Sequence, residues 1–384
     1  MVRGKRDGLL IAGGGLAGSL AAIAMAKARP EVPLLLVQEG ESFGGNRIWS
    51  FFDADITDGD RWLAEPLLSG SWPGYYVAFP GHSRKLKAGM SCVRSADVDR
   101  LVRETLRPDQ YRLGTRIVAV RENELVLLGG ERIKADGALD ARGAANLSML
   151  DLAWQKFVGR EYRLAAPHGL DRPVLMDATV EQSHGCRFVR CVPLGPDRML
   201  IEDIYYSNSP ELDTAALGGR IEAYATKRGW PTAELEQEVS DVLPVALGGD
   251  FGAFWRVGGA RVAKLGLRGG FFHPTTGSGL ADAVHNAVLL SQQRDLGGAA
   301  LHDLFESQAA QLWKRREFYR TFNTMLFRGA APHERAAMFE QLYRLDPALI
   351  ARFHAGRPTV LDRMRVTGLK PPAPAKASTA APRK

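Results

Sequence analysis

Cysteine is scarce: 384 residues hold three, Cys92, Cys186 and Cys191, with no Cys-x-x-Cys pair. That argues against a disulfide scaffold or a cysteine zinc site and fits a reducing compartment. No repeat recurs along the chain, so solenoid and coiled-coil readings fall away. Long apolar runs are also missing. Gly8 to Ala26 contains no charge, but five of its nineteen residues are Gly, whereas a bilayer span wants about 20 strongly apolar residues. No Ala-x-Ala site follows a Leu-rich stretch there, so a cleaved leader is not indicated. The expectation is a protein that is soluble or meets a membrane from one side. Excess charge of one sign is confined to the end: Gly356 to Lys384 carries seven basic residues and one acid, +6 of the net +7. A near-neutral body speaks against nucleic acid as a partner. A basic tail suits anionic lipid headgroups, or simply solubility.

What is present indicates a folded α/β protein. A hydrophobic share of 45% excludes disorder as the main state, and the length suits two or three domains of about 150 residues. Eight aromatics (Trp49, Phe51, Phe52, Trp62, Trp72, Tyr75, Tyr76, Phe79) crowd into 31 residues, as core or as pocket lining. Residues 111 to 145 alternate short apolar runs with turns and read as β-rich. Phe188–Leu194 and Met199–Tyr206 flank Gly195-Pro196-Asp197-Arg198 and read as a hairpin. From Leu301 to Ile350 a helical period takes over, with Leu301, Leu304, Phe305, Leu312, Tyr319, Phe322 and Met325 near 3.6 spacing. Lys314, Arg315, Arg316 and Arg320 interrupt it, which admits a basic amphipathic surface helix or an ordinary half-buried one. Pro371–Lys384 reads as a disordered basic tail.

Gly13-Gly14-Gly15-Leu16-Ala17-Gly18 fits G-x-G-x-x-G, after the apolar run Leu9–Ala12 and before a helix-like Ser19–Ala28. The glycines serve a tight turn, close approach of backbone to a pyrophosphate, and helix-on-strand packing. The helix N-terminus then offers free N–H groups to phosphates. Leu34–Gln38 supplies a second strand ending at Glu39, placed to hold a ribose hydroxyl. The motif opens the chain and has a late echo, Phe272-His273-Pro274-Thr275-Thr276-Gly277-Ser278-Gly279, ahead of the Ala-rich Leu280–Leu290. Flavoproteins of the glutathione-reductase-like class return late with such a Pro-x-x-Gly-x-Gly turn, whose helix N-terminus favours a reduced, anionic flavin. Leu139-Asp140-Ala141-Arg142-Gly143 resembles the mid-chain strand end that borders FAD in that class. FAD is therefore favoured over NAD. Along Met199–Tyr206, alternation sets Leu200, Glu202, Ile204 and Tyr206 on one face and Met199, Ile201, Asp203 and Tyr205 on the other. Apolar neighbours would raise the Glu202 carboxyl and keep its proton near neutral pH, as protonation of a weak base requires. The alternative is an exposed edge strand with both carboxylates in water.

Together these stretches resemble the bacterial lycopene β-cyclases. The resemblance rests on Gly13–Gly18, Gly44-Gly45-Asn46-Arg47-Ile48-Trp49-Ser50-Phe51, Trp72-Pro73-Gly74-Tyr75 and Val77-Ala78-Phe79-Pro80. It continues through Gln155–Gly159, Ala166-Pro167-His168-Gly169, Met176-Asp177-Ala178-Thr179 and Leu200-Ile201-Glu202-Asp203, then Phe272–Gly277 and Leu369-Lys370-Pro371-Pro372. It departs at Ile204, where Thr is usual, and at Ser278-Gly279, where Tyr-Ser is usual.

The resemblance implies an isomerase, an intramolecular lyase dependent on reduced FAD with NAD(P)H as electron source. Glu202 and Asp203 become its catalytic acids, and Gly13–Gly18, Glu39, Asp140, Gly143 and His273–Gly277 its cofactor contacts, with no metal. The acid protonates the terminal double bond of a linear ψ-end group, the next double bond captures the cation, and proton loss leaves a β-ionone ring. Lycopene would thus become γ-carotene and then β-carotene. So insoluble a substrate implies peripheral attachment to the inner face of the cell membrane; oligomeric state is left open. The implied fold is a discontinuous FAD-binding Rossmann-like domain (1–50, 85–150 and 260–300) with a β-sheet substrate domain (51–84 and 151–259). A helical region (301–370) and the tail (371–384) complete it. Rivals on the same fold are an FAD-dependent monooxygenase, a prenyl or carotenoid reductase, and a prenyl carrier without flavin. The first usually has a Gly-Asp pair before the late Pro, which Leu267–His273 lacks.

Overall fold

A computed structural model describes residues 8–144, 147–182 and 185–369; the basic tail and Lys370-Pro371-Pro372 lie outside them. The first strand, Leu9–Ala12, is buried along its whole length, as its unbroken apolar run requires of a strand covered on both faces. It is central in a five-stranded sheet ordered Ala263–Lys264, Gly137–Asp140, Leu9–Ala12, Leu34–Val37, Tyr111–Arg112, with every pairing parallel. Leu9 and Ile11 face a core shared with the helices Leu16–Ala28 and Leu280–Ser291. Leu10 and Ala12 face Ile117, Val120, Leu125 and Leu127, from the antiparallel meander within 117–134. The result is the open α/β arrangement in which ligands meet the carboxyl ends of parallel strands.

A seven-stranded sheet forms the second body, ordered Thr232–Gly249, Leu150–Leu164, Arg198–Ser207, Cys186–Pro193, Val174–Asp177, Tyr75–Phe79, His82–Leu86. The sequence hairpin is there, its first strand starting two residues earlier and ending one earlier than expected, and it pairs Arg190 with Glu202. Alternation divides the sheet as the pattern requires. Val158, Val189, Met199, Ile201 and Tyr205 pack under the helix Thr214–Lys227. Phe188, Ile204 and Tyr206 face the C-terminal helices, meeting Phe318, Phe322, Phe339 and Tyr343. A small sheet of Ile48–Phe52, Met90–Arg94 and Leu68–Trp72 adjoins the two bodies.

The C-terminal region is helical over Gly298–Arg315, Glu317–Thr324, Arg335–Arg344, Pro347–His354 and Val360–Thr367. The basic amphipathic surface admitted for residues 301–325 is not what forms. Leu301, Phe305, Tyr319 and Phe322 are fully buried. Arg316 turns inward to Asp282 at 2.7 and 2.9 Å, and Arg320 lies over the Trp313 ring at 4.0 Å. Helical period alone does not say on which side of a helix solvent lies, and here two cores claim it. Among the described residues no helix is long and apolar enough to cross a membrane.

Candidate active site

The glycine fingerprint builds a groove at the carboxyl end of the parallel sheet. Gly13 has a positive φ of 96°, and a Cβ there would meet the Ala141 carbonyl at 2.8 Å, while one on Gly18 would clash with the Gly13 carbonyl. Gly15 has nothing within 4 Å of its would-be Cβ, so the loop is closed behind and open in front, where a phosphate approaches. Gly13, Gly15, Leu16, Ala17, Glu39 and Gly143 line the groove, which runs on to Gly277, Ser278 and Gly279 at the head of the helix Leu280–Ser291 and has about 1320 Å³ of free space. Gly14 and Gly18 support it from behind: Gly14 N donates to Gln38 Oε1 at 2.8 Å, and Gly18 is buried. Glu39 is exposed at the second strand's end, 3.6 Å from Arg116. These features fit an extended dinucleotide.

Two of the expected contacts take other places. Asp140 is buried and does not line the groove; it holds Arg142 through two side-chain contacts of 2.9 and 2.8 Å, and Arg142 is what reaches the groove. The late turn is divided between two spaces. Gly277 faces the groove, whereas His273, Thr275 and Thr276 line a second cavity, and the Pro274 carbonyl accepts from Asn323 at 2.9 Å. His273 organises the turn. Burial, reinforced by Arg316, pushes it well below the usual histidine value, so the ring is neutral. Its Nδ1 accepts from the Thr275 and Thr276 amides at 3.3 Å, leaving Nε2–H for the Phe353 carbonyl at 3.3 Å.

The second cavity has about 1060 Å³ of free space and meets the groove at Ser278. Phe52, Phe188, Tyr206, Phe339, Tyr343 and Phe353 make its walls aromatic, with Met90, Met176 and Ile204 between them. Of the sequence's aromatic cluster, Phe51 and Phe52 line this cavity, and Trp49 lines the groove. Tyr75 lies behind Phe52 at 5.1 Å between ring centroids, and Trp62 is exposed. Of the three residues that depart from the resembled pattern, Ile204 and Ser278 line this cavity, and Gly279 lines the groove.

Glu202 is fully buried on the strand face that alternation gives it, but the expected all-apolar setting is not what surrounds it. Its Oε2 accepts from Arg190 Nε, its partner across the hairpin, while Oε1 is buried without a hydrogen-bond partner. Arg190 lines the cavity. Gly159, opposite on the other neighbouring strand, makes room: a Cβ there would lie 2.9 Å from Glu202 Cγ. Asp203 is held on the sheet's other face, by Arg187 at 2.6 to 3.0 Å, with its carboxyl raised by burial against Arg187's opposing pull. The structure does not bring the two acids together.

Residues that the sequence reading missed are Arg190, Asp55, Gln155, His354 and the Asp282–Arg316 pair, all on the cavity wall. A hairpin turning at Gly195–Arg198 would set residue 190 opposite 203; the observed register, with Pro193 opposite Met199, sets it opposite 202 instead. For the others, distant segments converge and no local pattern announces it.

Comparison with known proteins bears on the same chain. The family described as lycopene cyclase protein matches residues 8–380. A lycopene beta-cyclase of Pseudescherichia vulneris is 38% identical over 95% of this chain and 94% of its own length, and one of Pantoea ananas is 38% identical over 96% of each. Among solved structures, a flavin-dependent brominase superposes with a TM-score of 0.60 at 14% identity, covering 91% of this chain and 93% of its own, which shows a shared fold. A match across nearly the whole chain, groove and cavity included, places this protein in the lycopene cyclase family.

Proposed function

We propose that this chain is a lycopene β-cyclase acting with reduced FAD, closing the ψ-end groups of lycopene to β-ionone rings without net redox change. The observation that carries the reading is the aromatic cavity lying beside the dinucleotide groove, with Ser278 lining both. The groove's loop and Gly277–Gly279 would hold FAD, which when bound and reduced supplies negative charge beside a cation and draws its electrons from NAD(P)H. Phe52, Phe188, Tyr206 and Tyr343 offer ring faces to that cation, each worth about 0.5–2 kcal/mol where geometry permits, and they exclude the water that would trap it. Glu202 does not itself line the cavity, but Arg190 beside it does; the carboxyl would deliver the starting proton through its unpartnered Oε1, with Arg190 aiming it. Asp203 supports the strand from behind through Arg187.

Expression in lycopene-accumulating bacteria is expected to turn red cells orange, with bicyclic product on pigment analysis and a yellow purified protein. Consumption of NADPH stoichiometric with product would instead favour the monooxygenase or reductase reading, and a colourless protein the prenyl carrier.

A 40-carbon hydrocarbon reaches the cavity from lipid, so peripheral membrane attachment belongs to the same proposal. Its surface is the helix Val360–Thr367 rather than residues 301–325. Val360, Leu361 and Met364 are 74%, 55% and 66% exposed, with exposed Arg363 and Arg365 alongside to meet anionic headgroups. The helix follows closely on Phe353 and His354 of the cavity wall. Replacing all three apolar residues with Ser is expected to weaken binding to phosphatidylglycerol-containing vesicles about tenfold or more, given roughly 25 cal/mol per Å² of apolar surface. Cosedimentation measures it; unchanged binding would assign attachment elsewhere.

A further inference from the structure

Ring closure needs a proton in and a proton out, and the site described so far provides only the first. Asp55 lies on the wall of the same cavity, at the end of the short turn Asp53–Asp55. One carboxylate oxygen, Oδ2, accepts from the Phe52 amide at 2.8 Å. The other, Oδ1, is closed off from solvent and has no hydrogen-bond partner, although the residue as a whole is half-buried. His354 also lines the wall, but its Nε2 is engaged with the Tyr343 hydroxyl at 3.0 Å.

Resting on the cyclase reading above, we propose that Asp55 is the catalytic base that takes the ring proton after closure. When the ring has closed, the tertiary cation lies next to the carbon that formed the new bond. The C–H bond of that carbon breaks, its electron pair becomes the ring double bond, and the proton passes to Asp55 Oδ1. The acid at the start gives one proton and the base at the end receives one, so atoms and charge balance with no oxidant or reductant. The choice of proton sets the product. Loss from the ring-forming carbon gives the β ring, loss from the neighbouring ring methylene gives the ε ring, and loss from the methyl gives an exocyclic methylene. A base fixed by the Phe52 amide is therefore a regiochemical device.

Burial raises the Asp55 carboxyl from 3.8 to about 6, a proton affinity suited to a base that must recycle near neutral pH. Arg357 favours its charge, whereas Asp282 and Asp53 oppose it; Tyr75 and Tyr319 feel its field. Arg316, His273 and His354 line the same cavity, both histidines held neutral by burial. Because the folded value lies above the unfolded one, the carboxyl's contribution to stability is present at low pH and is lost as pH rises through about 6. Asp55→Asn therefore removes an unfavourable charge at neutral pH and is expected to fold.

The test compares wild type, Asp55→Asn and Asp55→Glu as flavin-loaded full-length proteins, with products resolved by chromatography and ring protons by NMR. Asp55→Asn is expected to slow ring formation at least a hundredfold, with the residual product carrying ε, exocyclic or hydroxylated end groups; Asp55→Glu restores part of the β ring. The wild-type rate should fall as pH drops through about 6. Pure β product from Asp55→Asn within threefold of the wild-type rate overturns the proposal. Should Asp55→Asn fail to fold, a wild-type rate that stays flat between pH 7 and pH 5 with flavin retained overturns it instead. A wild type that forms no ring at all would refute the cyclase reading, a result distinct from both.

Discussion

Glu202→Gln is expected to cut ring formation by about 10²–10⁴-fold, the usual contribution of a general acid, while flavin content and thermal unfolding change little. The variant keeps the shape of the side chain in its slot beside Gly159, and its amide oxygen still accepts from Arg190, so packing is not the variable. What it loses is the acidic proton. Competing routes do not replace it, because the neighbouring carboxylate Asp203 is held by Arg187 on the far side of the sheet. Asp203→Asn serves as the contrasting variant: it is expected to retain flavin and most of the rate, with its cost appearing as lower stability. Pigment profiles from lycopene-accumulating cells, with purified-enzyme rates at matched flavin occupancy, measure both. Ring formation by Glu202→Gln above a tenth of wild type would remove Glu202 from the acid role.

The contrast between these two adjacent acids shows where sequence reading reaches and where it stops. Period-2 alternation set Glu202 and Asp203 on opposite faces, and the structure places them so. A strand's alternation is a local property, fixed by backbone geometry before any tertiary contact forms. The glycine loop was legible for the same reason, since positive φ and close approach leave the chain few residues to choose from. The electrostatics were not. An apolar strand face predicted a carboxyl among greasy neighbours, but the neighbour that matters, Arg190, is twelve positions away and enters only through strand register. Asp140 was misplaced in a similar way: a carboxylate ending a buried parallel strand can face a ligand or an arginine, and Arg142, two residues on, takes it inward. Asp55 and the Asp282–Arg316 pair were out of reach, because they become a wall only when residues 50–55, 273–282, 316 and 339–355 converge.

Arg190→Leu is expected to be the most destabilising of these changes. Removing the guanidinium leaves Glu202 with no solvent exposure and no partner for either carboxylate oxygen, and an uncompensated buried charge of that kind costs about 3–5 kcal/mol. Glu202→Gln costs less on its own, because Arg190 is 18% exposed and can keep water at one end. The double variant Arg190→Leu/Glu202→Gln should recover a large part of the loss, since a neutral amide beside an apolar wall asks for far less than a bare carboxylate. The resulting coupling free energy, obtained from denaturant titration of all four proteins, measures the pair directly. Additive single-variant costs would mean that the two residues stabilise the sheet independently. Arg190 would then be an ordinary cavity residue, and the positioning of the acid would have to come from the Gly159 slot alone.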